Sequence, residues 1–132
     1  MSHRVPVSLE TSHDPIARMR VFQLATALIP DAFEDAKLLK VEPITAEIAG
    51  QLYAAVGSIE AHTGEGYSRS SGKDRAHIFE RALGSVRESM TWYRAGKPVL
   101  GESKANDRLE RLEEMRRLFL AIIPRERGRK MK

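Results

Sequence analysis

Apolar residues recur every three or four positions along most of this chain, which is the period of an amphipathic α-helix. Proline and glycine interrupt the pattern between successive apolar segments. No segment shows the sustained alternation of apolar and polar residues that predicts a half-buried strand. The pattern therefore predicts an all-α fold.

The first helix is predicted to begin at Asp14, a good N-cap that is followed by proline at the first helical position. Pro30 lacks a backbone N–H, so the helix is expected to end or kink there. Residues 31–40 then form a short second piece, which ends before Pro43. The broad apolar stripe of the first helix comprises Ile16, Met19, Val21, Phe22, Leu24, Leu28 and Ile29.

The second long helix is predicted from about Pro43 to His62. Its apolar face comprises Ile44, Ile48, Leu52, Ala55 and Ile59. Small residues on the same helix, Gly50, Ala54, Ala55 and Gly57, are expected to let a neighbouring helix approach closely. Gly64 and Gly66 are expected to adopt the left-handed conformation that ends a helix.

The third helix is predicted from about Lys73 to Ala95, with Ser71 as its N-cap and a stop at Gly96 and Pro98. Its core stripe comprises Ile78, Phe79, Ala82, Leu83, Val86, Met90 and Tyr93. The fourth helix is predicted from about Ser103 to Ile123, where Pro124 ends it. Its core stripe comprises Leu109, Leu112, Met115, Phe119 and Ile122.

Four amphipathic helices with short connections favour an up-and-down four-helix bundle over residues 14–123. Residues 1–13 are interpreted as a flexible arm and residues 124–132 as a basic C-terminal tail. The chain of 132 residues has no cysteine, which excludes disulfides, thiolate metal sites and cysteine nucleophiles. With no signal-peptide pattern and no apolar run of membrane-spanning length, we expect a soluble cytoplasmic protein without a membrane partner.

The formal net charge of +4 is unevenly distributed. Residues 1–66 contain five basic and nine acidic residues, whereas residues 67–123 contain twelve basic and eight acidic ones. Residues 124–132 add five basic residues and one acidic residue. The charge pattern thus predicts a body with two oppositely charged halves and a basic end.

Catalytic and metal-binding motifs are missing from the sequence. It contains no GxSxG, GxxxxGK[ST] or HExxH, and the run GEGYSRSSGK has the wrong spacing for a phosphate-binding loop. Asp74 and His77 have the spacing of a di-iron Glu-x-x-His motif only once, and with the wrong acid. We therefore expect no enzymatic activity, no catalytic residue, no metal and no cofactor.

A sequence motif spans the turn between the second and third helices. Its residues are Gln51, Ala55, Ser58, Ile59, Glu65, Gly66, Arg69, Phe79, Ala82, Gly84, Ser85 and Glu88. Together they resemble the central hairpin of the four-helix-bundle proteins encoded in intervening sequences of bacterial large-subunit ribosomal RNA genes. That family is related to the accessory variability determinants of diversity-generating retroelements. His62 stands where the family has asparagine, and Leu83 where it has arginine.

The resemblance implies a four-helix up-and-down bundle, a ring-shaped homo-oligomer, with a pentamer favoured, a basic face that meets nucleic acid, and no enzymatic activity. For the hairpin residues Ser58, His62, Glu65 and Arg69, one interpretation is a binding site for a phosphate or a partner residue. The favoured interpretation is that they tie the turn together, because buried polar groups must be paired wherever they occur. Gly84 and Ser85 are interpreted first as a close helix contact.

Basic residues supply the candidate nucleic-acid surface. Arg87 and Arg94 share a side of the third helix, as do Arg108 and Arg111 on the fourth, although a solvated helix surface explains these arginines as well. The cations of the predicted tail are Arg125, Arg127, Arg129, Lys130 and Lys132. They would give salt-sensitive, sequence-independent binding to RNA or DNA, or would only solubilise the chain end. The leading hypothesis is a nucleic-acid-associated accessory or scaffold protein; the alternative is a protein-protein interaction adaptor.

Overall fold

The computed structural model describes residues 5–128, which form helices and turns without any strand. In chain order the helices are α1 (Val7–Glu10), a 3₁₀ turn (Pro15–Arg18), α2 (Arg20–Val41), α3 (Ala46–Tyr67), α4 (Gly72–Leu100) and α5 (Glu102–Arg127). Within this part of the chain no helix is both long and apolar enough to cross a bilayer. The all-α prediction is confirmed.

The four long helices form an antiparallel bundle in which each packs against the next along the chain. The turns are short, so a helix can only fold back beside its predecessor. At one end, Glu126 of α5 lies 3.5 Å from Arg75 at the start of α4. Two ion pairs, Asp31 with Arg111 and Asp35 with Arg108, join α2 to α5. The later residue of α2 pairs with the earlier residue of α5, so the two helices are antiparallel. The predicted up-and-down bundle is confirmed.

The core lies between the inner faces of all four long helices. Its largest fully buried side chains are Leu24, Leu28 and Leu39 from α2, Leu52 and Ile59 from α3, Phe79 and Tyr93 from α4, and Leu112, Met115 and Phe119 from α5. Most of the predicted stripes are thus correct. Ile44 is an exception at 88% exposed, because the chain is still in the turn there and α3 begins only at Ala46.

Three prolines that were expected to end helices lie inside them instead. Pro30 lies within α2, Pro98 within α4 and Pro124 within α5. All three rings are exposed, so they do not disturb the core. A proline removes one backbone hydrogen bond. Packing of the apolar residues on both sides of it keeps the helix continuous.

The predicted helix limits at Asp14 and at the hairpin glycines are also wrong. The Asp14 carboxylate accepts a hydrogen bond from the Ile16 amide at 3.1 Å, but it caps only the 3₁₀ turn. Extended backbone at Met19 (φ −77°, ψ 120°) separates that turn from α2. Gly64 and Gly66 are helical, because α3 extends to Tyr67. Among the described residues only Gly101, between α4 and α5, has a positive φ, at 89°.

Candidate functional site

The turn between α3 and α4 is held by serines rather than by the predicted hairpin cluster. The Ser68 hydroxyl donates to the Gly64 carbonyl at 2.8 Å, and the Ser71 hydroxyl accepts from the Asp74 amide at 3.1 Å. The second bond confirms Ser71 as the N-cap of α4. Both bonds satisfy backbone groups that a helix end leaves unpaired.

The predicted hairpin residues lie close together in sequence but do not form a pocket lining of their own. Glu65 and Arg69 form a loose ion pair of 3.9 Å, with about half of each side chain exposed. Ser58 and His62 are half-buried on α3, in the two turns before Glu65. Gly66 is buried against Phe79: a Cβ at this position would lie 2.8 Å from the ring. Gly66 therefore serves close helix packing.

Gly84, Ser85 and Glu88, the last three residues of the hairpin motif, lie away from the core on α4, whereas Phe79 and Ala82 are buried. Gly84 is exposed, and a Cβ there would have no neighbour within 4 Å, so the predicted close helix contact is wrong. The Ser85 hydroxyl donates to the Arg81 carbonyl of its own helix at 3.3 Å. Glu88 accepts a hydrogen bond from the indole N–H of Trp92 at 3.1 Å. These bonds are all local to α4.

Arg108, one of the predicted nucleic-acid contacts, neutralises a buried carboxylate instead. Asp35 is fully buried on α2, and Arg108 Nε donates to it at 2.8 Å. Tyr93 Oη donates to the same carboxylate at 2.6 Å. Burial and the neighbouring Asp35 charge raise the pKa of Tyr93 far above its usual value, so the phenol keeps its proton.

Arg111 has a similar position one turn further along α5. Its side chain is 4% exposed, and its Nη1 donates to Asp31 at 2.7 Å and to Asp107 at 3.3 Å. Arg108 donates to Asp107 as well, at 2.7 Å. Burial by itself would raise the pKa of Asp107, but these guanidinium hydrogen bonds hold it below its usual value.

This network joins α2 and α5, and we call it the α2–α5 seam. Its members are Asp31, Asp35, Tyr93, Asp107, Arg108 and Arg111. A signal for it exists in the sequence, because Asp35 is in phase with the apolar residues Leu28, Ala32 and Leu39. An acidic residue at a core position requires a partner. Arg108 and Tyr93 are the partners of Asp35, while Arg111 pairs with Asp31 and Asp107.

The remaining predicted cations have different environments. Arg87 and Arg94 are exposed on α4, and Arg94 lines a shallow groove beside Arg117 of α5. Arg125 is exposed, while Arg127 forms a 2.9 Å ion pair with Glu80. Both belong to helix α5, which corrects their assignment to a tail beyond it. The other three predicted contacts, Arg129, Lys130 and Lys132, lie outside the described residues.

Sequence reasoning missed an apolar surface around the turn between α2 and α3. Phe33 is 49% exposed, Tyr53 42%, Val41 83% and Ile44 88%. Leu38, on the same stretch of α2, is 44% exposed. Single exposed apolar residues are ordinary, whereas these five large ones all lie on α2, on α3 or in the turn between them. For Phe33 and Tyr53, a position out of phase with the core stripe was the available signal, whereas Ile44 is in phase with the predicted apolar face of the second helix.

A groove of about 450 Å³ runs between α2 and α3 within this surface. Its lining residues, which define the α2–α3 groove, are Phe33, Ala36, Lys37, Lys40, Ala49, Gly50 and Tyr53. The rings of Phe33 and Tyr53 meet edge to face, with centroids 5.7 Å apart. A Cβ at Gly50 would meet no atom within 4 Å, so this part of the wall is open. The predicted small-residue contact of α3 is therefore an open surface at Gly50.

Comparisons with protein-family models, curated proteins and solved structures found no match to this chain. The family suggested by the hairpin motif therefore stays a prediction. In the described part of the chain, histidine and acidic side chains do not gather into a group of three or more that could hold a metal ion.

Proposed function

We propose that this protein is a non-enzymatic adaptor or scaffold that binds another protein through the α2–α3 groove. The observation that carries the proposal is the exposure of Phe33 and Tyr53 in the α2–α3 groove of a well-packed bundle. Val41 and Ile44 are exposed as well, at the turn between the same two helices. Aromatic and aliphatic side chains that remain exposed in one region are characteristic of protein-binding surfaces. Burying them against a partner removes apolar area from water, which favours association.

The chemistry of the groove supports binding rather than catalysis. Its walls are apolar apart from two lysines, Lys37 and Lys40. The groups with strongly shifted pKa values, the neutral Tyr93 and the cationic Arg108, instead donate hydrogen bonds to Asp35 in the α2–α5 seam. Removing a donor from such a site leaves a buried charge uncompensated, so the seam is assigned a structural role.

A matched pair of variants tests this proposal. Gly50→Gln should fill the groove, whereas Gly57→Gln places the same side chain at another open position of α3 outside the groove. Cross-linked partners of the full chain would be identified by quantitative mass spectrometry in a lysate of its source cells. We expect proteins that are captured by the unmodified chain and by Gly57→Gln but not by Gly50→Gln. Equal capture by all three chains would refute the proposal.

Nucleic-acid association is the second candidate function, and the exposure of Arg87, Arg94 and Arg125 favours it. Their charge would attract a phosphate backbone without reading its sequence. Fluorescence anisotropy with a structured RNA and a matched DNA duplex at two salt concentrations would measure it. Comparing the full chain with a chain stopped after Gly128, which keeps α5 whole, measures how much the last four residues contribute to binding. Absence of binding by the full chain at low salt would exclude this function.

A further inference from the structure

We infer that the partner element of the α2–α3 groove is a short amphipathic helix whose apolar residues are flanked by aspartate or glutamate. This inference rests on the proposed function, since it specifies the chemistry of the partner at the same surface.

The charges beside the groove are the first argument. Between residues 21 and 68 the sequence contains only two lysines or arginines, Lys37 and Lys40, against seven aspartates and glutamates. Both lysines line the groove, and no acidic residue does. The groove therefore contains both basic residues of an otherwise acidic stretch of the chain. A partner with acidic residues is complementary to these lysines.

The availability of Lys37 is the second argument. Its Nζ lies 5.7 Å from the centroid of the Phe33 ring and 3.5 Å from the Glu34 carboxylate. Its side chain is 62% exposed, so the ion pair with Glu34 is a weak surface pair. A rotation of its side chain is enough for Lys37 to leave Glu34 and pair with a carboxylate of the partner. The ammonium group would then contact the partner.

The shape of the groove is the third argument. On α2 the lining residues run from Phe33 to Lys40, which corresponds to about two helical turns or roughly 10 Å. The Phe33 and Tyr53 rings lie at the end remote from the turn between α2 and α3. Ala36, Ala49 and Gly50 give the groove a lining of small residues, where a helix backbone can approach closely. A helix that inserts apolar residues at i, i+3 and i+4 matches this outline.

A peptide-display selection on the full chain tests the inference. The library would consist of amphipathic helices of about four turns with apolar residues at i, i+3, i+4 and i+7 and all polar residues allowed beside them. We expect selection to enrich aspartate and glutamate at the flanking positions. The selected peptides should bind Gly57→Gln like the unmodified chain and Gly50→Gln about tenfold or more weakly. The double variant Lys37→Glu/Lys40→Glu should lose these peptides and select lysine-rich or arginine-rich ones.

The outcomes separate the partner chemistry from the proposed function. If the selected peptides bind through the groove but are not enriched in aspartate or glutamate, the inference of an acidic partner is refuted and the proposed adaptor function is not. Selected peptides that bind Gly50→Gln as tightly as the unmodified chain would overturn the inference at this site. Self-association that Gly50→Gln abolishes would identify a second copy as the occupant and likewise overturn it. Circular dichroism of each variant establishes that the bundle remains folded.

Discussion

Asp35 shows how a single residue constrains the bundle. A fully buried carboxylate is unfavourable unless donors replace the water that it loses. Tyr93 and Arg108 supply those donors from two other helices. Arg108 lies 73 residues from Asp35 in sequence, so the interaction forms only when α5 docks on α2. At this scale the arginine acts as part of the core.

The loss of Arg108 should lower the free energy of unfolding more than the loss of an ordinary surface ion pair does. Arg108→Ala should lower the free energy of unfolding by about 3–5 kcal/mol, because it leaves the Asp35 charge buried without its cation. Arg116→Ala removes a 2.6 Å pair with Glu113 within α5, and since this pair is in contact with solvent, its loss should lower the free energy of unfolding much less. Urea denaturation of both variants measures the difference. Equal losses would contradict a structural role for the seam.

Asp107 makes the seam sensitive to acid. Its pKa in the folded protein is below the usual value of 3.8, so the unfolded chain takes up a proton at higher pH than the folded chain does. Its contribution to stability is therefore complete above the unfolded pKa and is lost as the pH falls through the folded pKa. We expect the free energy of unfolding to decrease as the pH falls below about 4, and Asp107→Asn to reduce that decrease.

Urea titrations of the unmodified chain and of Asp107→Asn over a pH series test this expectation. Glu113 also has a lowered pKa, because Arg116 donates a hydrogen bond to it, so acid will not leave Asp107→Asn unaffected. The difference between the two curves isolates Asp107. Curves that stay parallel down to the most acidic pH would contradict its ion pairing.

The limits of the helices are decided by packing at the scale of whole elements. Local rules placed helix ends at Pro30, Pro98 and Pro124, but α2, α4 and α5 continue through them. The same rules assigned left-handed turns to Gly64 and Gly66, which are helical. Where α3 meets α4, the absence of a Cβ at Gly66 allows Phe79 to approach the backbone. Close packing between α3 and α4 therefore explains the glycine at position 66.

Gly66→Ala and Gly57→Ala should therefore change stability in opposite directions. An added Cβ at Gly66 would lie 2.8 Å from the fully buried Phe79 ring and 3.3 Å from Ile78 Cβ, so overpacking should cost about 1–3 kcal/mol. At Gly57 the Cβ would meet no atom within 4 Å, and alanine should stabilise α3 by about 0.5–1 kcal/mol. Thermal or urea unfolding checks both signs. A stabilising Gly66→Ala would show that the close approach of Phe79 is not required.

The whole molecule carries its charge asymmetrically, which bears on self-association. Residues 1–66 contain an excess of four acidic residues over basic ones, nine against five, while residues 67–123 contain an excess of four basic residues, twelve against eight. The first set includes α2 and all of α3 except its last residue, and the second includes α4 and most of α5. A heterologous contact between the acidic half of one copy and the basic half of the next, outside the α2–α3 groove, would bring opposite charges together. It closes into a ring when the rotation between copies permits.

The hairpin resemblance and this charge asymmetry together predict a homo-oligomer, with a pentamer favoured. Light scattering coupled to size-exclusion chromatography should then give a mass of about five times the 14.8 kDa chain at low salt. Assembly through opposite charges should weaken as salt is raised. A monomeric mass at every salt concentration would contradict the ring, and a stable dimer would contradict the favoured subunit number.

The sequence alone determined the helical content, the apolar stripes of α4 and α5, the Ser71 cap and the bundle architecture. These features depend on side-chain periodicity and on hydrogen bonds between near neighbours, which the local order of residues specifies. The tertiary structure decided that α2 continues through Pro30, that Arg108 and Arg111 are partners of acidic residues on α2, and that Phe33 and Tyr53 face an open groove. Each of these depends on which helix lies opposite, and helical periodicity does not encode the neighbour of a helix face. The physical reason is that burial and charge pairing across a bundle are set by packing between segments distant in the chain.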